Sequence, residues 1–96
     1  MGLVETTTFR LAPGSDEQAF LHSDRRVQTE LVPNQPGFLR RTTARNDDRW
    51  LVLSLWANLE QAEAFAALAG GHEVQLEFEQ HIDAASVTTC RYETLG

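Results

Sequence analysis

Three histidines, two adjacent arginines and a group of aromatic rings are the side chains of this sequence with chemistry to offer. Histidine is the side chain whose ordinary pKa lets it take up a proton near neutrality, so His22, His72 and His81 are the candidate bases. His22 falls opposite the apolar stripe of the first predicted helix and reads as a surface residue. His72 follows Gly70-Gly71 at the start of the third helix, where a loop can present it to a cleft or leave it solvated. His81 stands three residues after Phe78 and one before Ile82, on the edge of a buried stripe. His72 and His81 are therefore the candidate catalytic residues. Arg40 and Arg41 are neighbours on a strand and point to opposite faces, so one of them could hold a carboxylate. Phe20, Phe65 and Phe78 lie on helical faces, where they either pack as core or bound a ligand cavity. Glu73, Glu77 and Glu79 read as a solvated helix face with no second kind of ligand beside them, so no metal is expected. Cys90 is the one cysteine, which excludes an internal disulfide, and there is no Cys/His cluster to hold zinc.

These residues must be carried by alternating strands and helices. Leu3 to Leu11 is rich in Thr, Val and Phe and predicts a strand, stopped by Pro13-Gly14. Ser15 with Gln18 has the form of a capping box, and Phe20, Ser23, Val27 and Leu31 then recur on one helical stripe. Pro33 and Pro36 end that helix near Val32. Phe38 to Arg45 is the second strand, with Leu39, Arg41, Thr43 and Arg45 on one face and Phe38, Arg40, Thr42 and Ala44 on the other. Asn46-Asp47-Asp48 turns into the third strand, Arg49 to Ala57. That strand is apolar on both sides: Leu51, Leu53 and Leu55 on one, Trp50, Val52 and Trp56 on the other. Asn58 caps a second helix whose face is Leu59, Ala62, Phe65, Ala66 and Ala69, ending at Gly70-Gly71. A third helix from His72 to Ile82 carries Val74, Phe78 and Ile82 four residues apart, and Ala85 to Leu95 forms the last strand.

The order β-α-β-β-α-α-β predicts an α+β, ferredoxin-like split β-α-β fold in one domain spanning residues 1–96, with helices on one face of a four-stranded antiparallel sheet. A strand that is apolar on both sides needs cover on the second face too. Two sheets packed face to face in a C2 dimer supply it, which assigns Trp50, Val52 and Trp56 to the interface. Fourteen acidic against eight basic residues give a formal charge of −6, and such a chain repels a phosphate backbone. The longest apolar stretch, Trp50 to Ala57, is far short of the roughly 20 residues a bilayer span requires. Neither nucleic acid nor membrane is expected as a partner, and with no secretion leader the expected compartment is the cytoplasm.

The run Pro36-Gly37-Phe38-Leu39-Arg40-Arg41, then Trp50-Leu51-Val52-Leu53-Ser54-Leu55-Trp56, then Asn58-Leu59-Glu60-Gln61-Ala62-Glu63-Ala64-Phe65, resembles the antibiotic-biosynthesis-monooxygenase-like group of dimeric α/β barrels. In that group a Pro-Gly-Phe turn opens the second strand, and an apolar strand ending in Trp leads into an Ala- and Glu-rich helix. The resemblance implies two sheets sharing a barrel and a ligand pocket between each sheet and its helices. The activities it implies include cofactor-free oxygenation of electron-rich aromatics, oxygenative haem breakdown, and lactone or dehalogenation chemistry. The positions that in haem-degrading members hold Asn, Trp and His are Thr7, Phe65 and the neighbourhood of Gln75, with His72 three residues away. Haem breakdown is therefore not expected, and no cofactor is.

Two function classes follow. In the first, a cofactor-independent monooxygenase acts on a small apolar or aromatic metabolite, with His72 or His81 as base and Thr7, Phe20, Phe65 and Phe78 around the substrate. In the second, a non-catalytic dimer uses the same cavity to bind a small molecule or to serve as an accessory subunit. Fold alone does not separate them.

Overall fold

Residues 2–95 are described by the computed structural model. Strand β1 (Leu3–Phe9) leads to helix α1 (Glu17–Arg26), a hairpin of β2 (Phe38–Asn46) and β3 (Arg49–Trp56), helices α2 (Leu59–Ala69) and α3 (Glu73–Gln80), and β4 (Thr88–Glu93). All pairings are antiparallel, in the order β2-β3-β1-β4. This is the expected ferredoxin-like α+β plan, with the helices on one face.

Local chemistry explains most boundaries. Asp16, not Ser15, caps α1, its side chain accepting from Gln18 N at 3.0 Å. Ser15 instead donates to the His81 carbonyl. The stripe Phe20, Ser23, Val27 and Leu31 is buried, but the α-helix stops at Arg26. One π-type turn (Val27–Leu31) and a short 3₁₀ turn (Val32–Asn34) carry the stripe on to Pro33. Asn58 caps α2 by accepting from Gln61 N at 2.8 Å, as expected. Only part of the expected α2 face is buried: Ala62 and Ala69 are inside, whereas Leu59 is 47% exposed. Gly37 opens β2 with φ +79°, and its carbonyl accepts from Ala57 N at 2.8 Å, tying the two ends of the hairpin. Any side chain there would carry left-handed strain and meet Gln61.

The sidedness expected for β3 is corrected. Phe9 pairs with Trp50, Thr7 with Val52 and Leu3 with Trp56, all on the helix-facing side. Trp50 meets Phe20 of α1 at a ring separation of 4.8 Å, and Trp56 meets Phe65 of α2 at 5.1 Å. Trp50 and Trp56 thus anchor the core within one chain, and Val52 lies between them. The uncovered face carries Leu51, Leu53 and Leu55, all half-buried, with Val4 opposite Leu55. Both stripes are apolar, so alternation separates them without saying which is inside; the bulkier indoles fill the deeper space under the helices. A bulge at Leu39 also moves Phe38 onto the helix-facing side, where its ring lies 5.6 Å from Trp56.

Candidate functional site

Helix-facing residues alternate along each strand, so the sheet register lays them out in transverse rows. One row joins Leu3 to Trp56, and another joins Phe9 to Trp50; each nucleates its own apolar cluster. Between them runs a polar row. Arg91 of β4 pairs with Glu5 of β1, Glu5 with Ser54 of β3, and Ser54 with Arg41 of β2. Large side chains are missing from the middle of this row, and a cavity of about 350 Å³ opens above it. Glu5, Ser54 and Arg41 contribute to its wall together with Thr7, Phe9 and Val52 from the sheet. Val27 and Val32 close it from the segment after α1, Phe65 from α2, and Gln75, Phe78 and Glu79 from α3.

Arg41 is the most constrained of the charged groups. Its side chain is 4% exposed, and Nη2 contacts Asp24 Oδ1 of α1 at 2.8 Å. The Thr43 hydroxyl donates to the same oxygen at 2.8 Å, and Gln28 Oε1 lies 3.4 Å from Nη1. The guanidinium carbon sits 5.5 Å from the centre of the Phe78 ring. Burial pulls the Arg41 pKa down while Asp24, by charge and hydrogen bond, pulls it up. A guanidinium keeps its proton at neutral pH against such a shift, so the cavity wall carries a fixed cation. At the other end of the row, Arg91 Nε donates to Glu5 Oε2 at 2.8 Å.

The residues singled out in the sequence divide. Thr7, Phe65 and Phe78 line the cavity, and of the arginine pair Arg41 faces it while Arg40, exposed, points to the opposite side of the sheet. Phe20 does not line it. It is fully buried and packs against Phe9 at 5.8 Å and Phe78 at 5.3 Å, which makes it core, since α1 lies over the Phe9 and Trp50 end of the sheet. Neither His72 nor His81 lines the cavity. His72 caps α3, its Nδ1 accepting from Val74 N at 3.1 Å. His81 ends α3 with Nε2 3.3 Å from the Ser23 hydroxyl and its carbonyl accepting from Ala12 N at 2.8 Å, tying α3 to α1 and to the loop after β1. Glu5 and Ser54 were not anticipated as cavity residues. Their signal was one polar pair among the apolar residues on the inward-facing register of β1 and β3, legible only once the inward face is known.

Among the described residues no group of three or more His, Cys, Asp or Glu side chains is arranged to hold a metal ion, and no helix is long and apolar enough to cross a membrane.

No protein-family model matches the chain, and no curated protein sequence matches it. Solved structures do. SnoaB, a cofactor-independent oxygenase from Streptomyces nogalater, superposes with a TM-score of 0.81 at 14% identity, over 99% of this chain and 94% of SnoaB. A candidate antibiotic biosynthesis monooxygenase from Bordetella bronchiseptica gives 0.80 at 14% identity, over 98% of this chain and 97% of that one. A conserved protein from Methanosarcina mazei Go1 gives 0.77 at 11% identity, over 99% and 94%. The chain has the fold of the antibiotic-biosynthesis-monooxygenase-like proteins.

Proposed function

We propose that the chain is a cofactor-independent monooxygenase acting on a small hydroxylated aromatic metabolite, and that it works as a cytoplasmic homodimer. The observation that carries this reading is the cavity itself: largely apolar walls closed by Phe65 and Phe78, with Gln75 and Glu79 from α3, over a floor of Glu5, Ser54 and Arg41. Oxygenation without a cofactor needs the substrate made electron-rich by loss of a proton, in a site that excludes water. Glu5 supplies a carboxylate to accept the hydroxyl proton, and Arg41 a fixed cation at the other end of the floor to anchor an anionic group of the ligand. The hydroxyarene then gives up its O–H proton and one ring hydrogen and gains one oxygen of O₂ as a carbonyl. The second oxygen leaves as water, so O₂ is both the oxidant and the oxygen source. The likeness to SnoaB, a cofactor-independent oxygenase, supports the same chemistry. Dimerisation is supported by the half-buried leucines of the uncovered face, which a second copy would bury.

A second reading, a non-catalytic binding or accessory dimer, is favoured by the absence of either candidate histidine from the cavity wall. A thermal-shift screen of aromatic metabolites, followed by an oxygen electrode on each hit, separates the two. Oxygen uptake above the protein-free rate, lost in Glu5→Val, supports the oxygenase. Ligand-induced stabilisation with background oxygen uptake supports the binder.

A further inference from the structure

Two ion pairs flank the cavity, and each shows it one partner only. At one end Glu5 lines the cavity while Arg91, which holds Glu5 Oε2, does not. At the other end Arg41 lines it while Asp24, which holds Arg41 Nη2, does not. Each pair is neutral overall, yet the two ends of the cavity present opposite chemistry: a carboxylate that only accepts hydrogen bonds, and a guanidinium that only donates them. Both have capacity to spare. The Arg91 contact uses one Glu5 oxygen, and Asp24 and Gln28 engage two of the five N–H donors of Arg41. The third charged group of the wall, Glu79, is exposed and accepts from Gln75 Nε2 at 2.9 Å, which places it at the solvent-facing rim.

Strands spaced by about 4.8 Å put Glu5 and Arg41 roughly 10 Å apart at their Cα atoms, with Ser54 midway. At about 350 Å³ the space is also at the small end for ligand pockets, which suits one or two rings. We infer that the ligand is a one- or two-ring aromatic acid bearing a hydroxyl at the end remote from its carboxylate. The carboxylate meets Arg41, the hydroxyl donates to Glu5, and the ring lies over Ser54 against Val52 and Phe78. This rests on reading the cavity as the ligand site, and it adds the two polar ends the ligand must carry.

The test is calorimetric binding, under nitrogen, of 6-hydroxy-2-naphthoate, its methyl ester and 6-methoxy-2-naphthoate. The hydroxy acid is expected to bind roughly tenfold or more tightly than either derivative, since each derivative strands a charged group without its hydrogen bond. Glu5→Val should erase the preference over the methoxy acid and keep the preference over the ester. The double variant Arg41→Gln, Asp24→Asn, which keeps the pair neutral, should do the reverse. Should circular dichroism show that variant unfolded, Arg41→Lys replaces it, with a reduced preference over the ester expected. Equal affinity for all three compounds, or binding of none, overturns the inference. Oxygen uptake on other hydroxyarenes is measured separately, so the oxygenase reading stands or falls on its own result.

Discussion

Glu5 and Arg41 occupy the same transverse row of the sheet, one on each side of Ser54, and both turn toward the helices. Elsewhere the helix-facing surface of the two central strands is Leu, Phe, Val or Trp, with Thr7 the exception. The row therefore sets a carboxylate and a guanidinium against a largely apolar chamber whose other polar wall residues are Thr7, Gln75 and Glu79.

The Arg41–Asp24 pair predicts a strong asymmetry between single and double substitution. Asp24→Ala leaves the buried guanidinium uncompensated and should lower unfolding free energy by about 3 kcal/mol, at the lower end of the range for breaking a buried pair. Chemical denaturation should show Arg41→Gln with Asp24→Asn clearly more stable than the sum of the single changes implies.

Phe65 and Phe78 both line the cavity and should respond differently. Phe78 is buried among Phe9 and Phe20, so Phe78→Ala should cost about 3–5 kcal/mol. Phe65 is half-buried, and Phe65→Ala should cost roughly half as much while enlarging the chamber. Thermal denaturation checks the first. Acceptance of three-ring ligands by Phe65→Ala, and their rejection by the parent chain, checks the second.

His81 is held by Ser23 on one side and by the loop after β1 on the other. His81→Ala should therefore cost about 1 kcal/mol through the lost side-chain contact and leave ligand affinity unchanged. Abolished turnover in a folded, ligand-binding His81→Ala protein would return the base to His81.

Arg26 lowers the pKa of Glu30, chiefly through their hydrogen bond. A carboxyl whose folded pKa is depressed adds stability above its unfolded pKa and loses it as pH falls through the folded value. Glu30→Gln should therefore flatten the acid limb of stability against pH, below the usual carboxylate range, and leave neutral and alkaline stability unaffected by pH through this group.

Periodicity is enough for the order of elements, because most carry their own punctuation: Pro13-Gly14, the cap at Asn58, and the Pro33 to Gly37 break, while the cap of α1 lies at Asp16, one residue past the Ser15 that the capping box implies. The inside of β3 was not legible. Leu51, Leu53 and Leu55 are as apolar as Trp50, Val52 and Trp56, and only the helices decide which set they cover. The bulge at Leu39 was equally hidden, since an inserted residue leaves no mark in a strand of mixed composition. Thr7, Phe65 and Phe78 were found as candidate ligand contacts, whereas Glu5 became visible only through its register with Ser54. The histidines stand out by type, but neither lines the cavity: His72 bonds Val74 N at the start of α3, and His81 bonds the Ser23 hydroxyl at its end.

The proposed dimer has a direct test on the face opposite the cavity. Leu53→Glu should leave the circular dichroism spectrum intact and convert a species of twice 10.8 kDa into one of 10.8 kDa by light scattering. A parent chain that is already monomeric at micromolar concentration contradicts the pairing.

Isotope incorporation from ¹⁸O₂ into a bound hydroxyarene, with chelator present, tests the central claim most directly when the parent chain is compared with Val52→Trp, which fills the chamber. The predicted result is one ¹⁸O atom per product molecule, formed by the parent and lost in the variant. A ligand that binds the parent chain and gains no ¹⁸O, or gains it equally with Val52→Trp, would contradict the account.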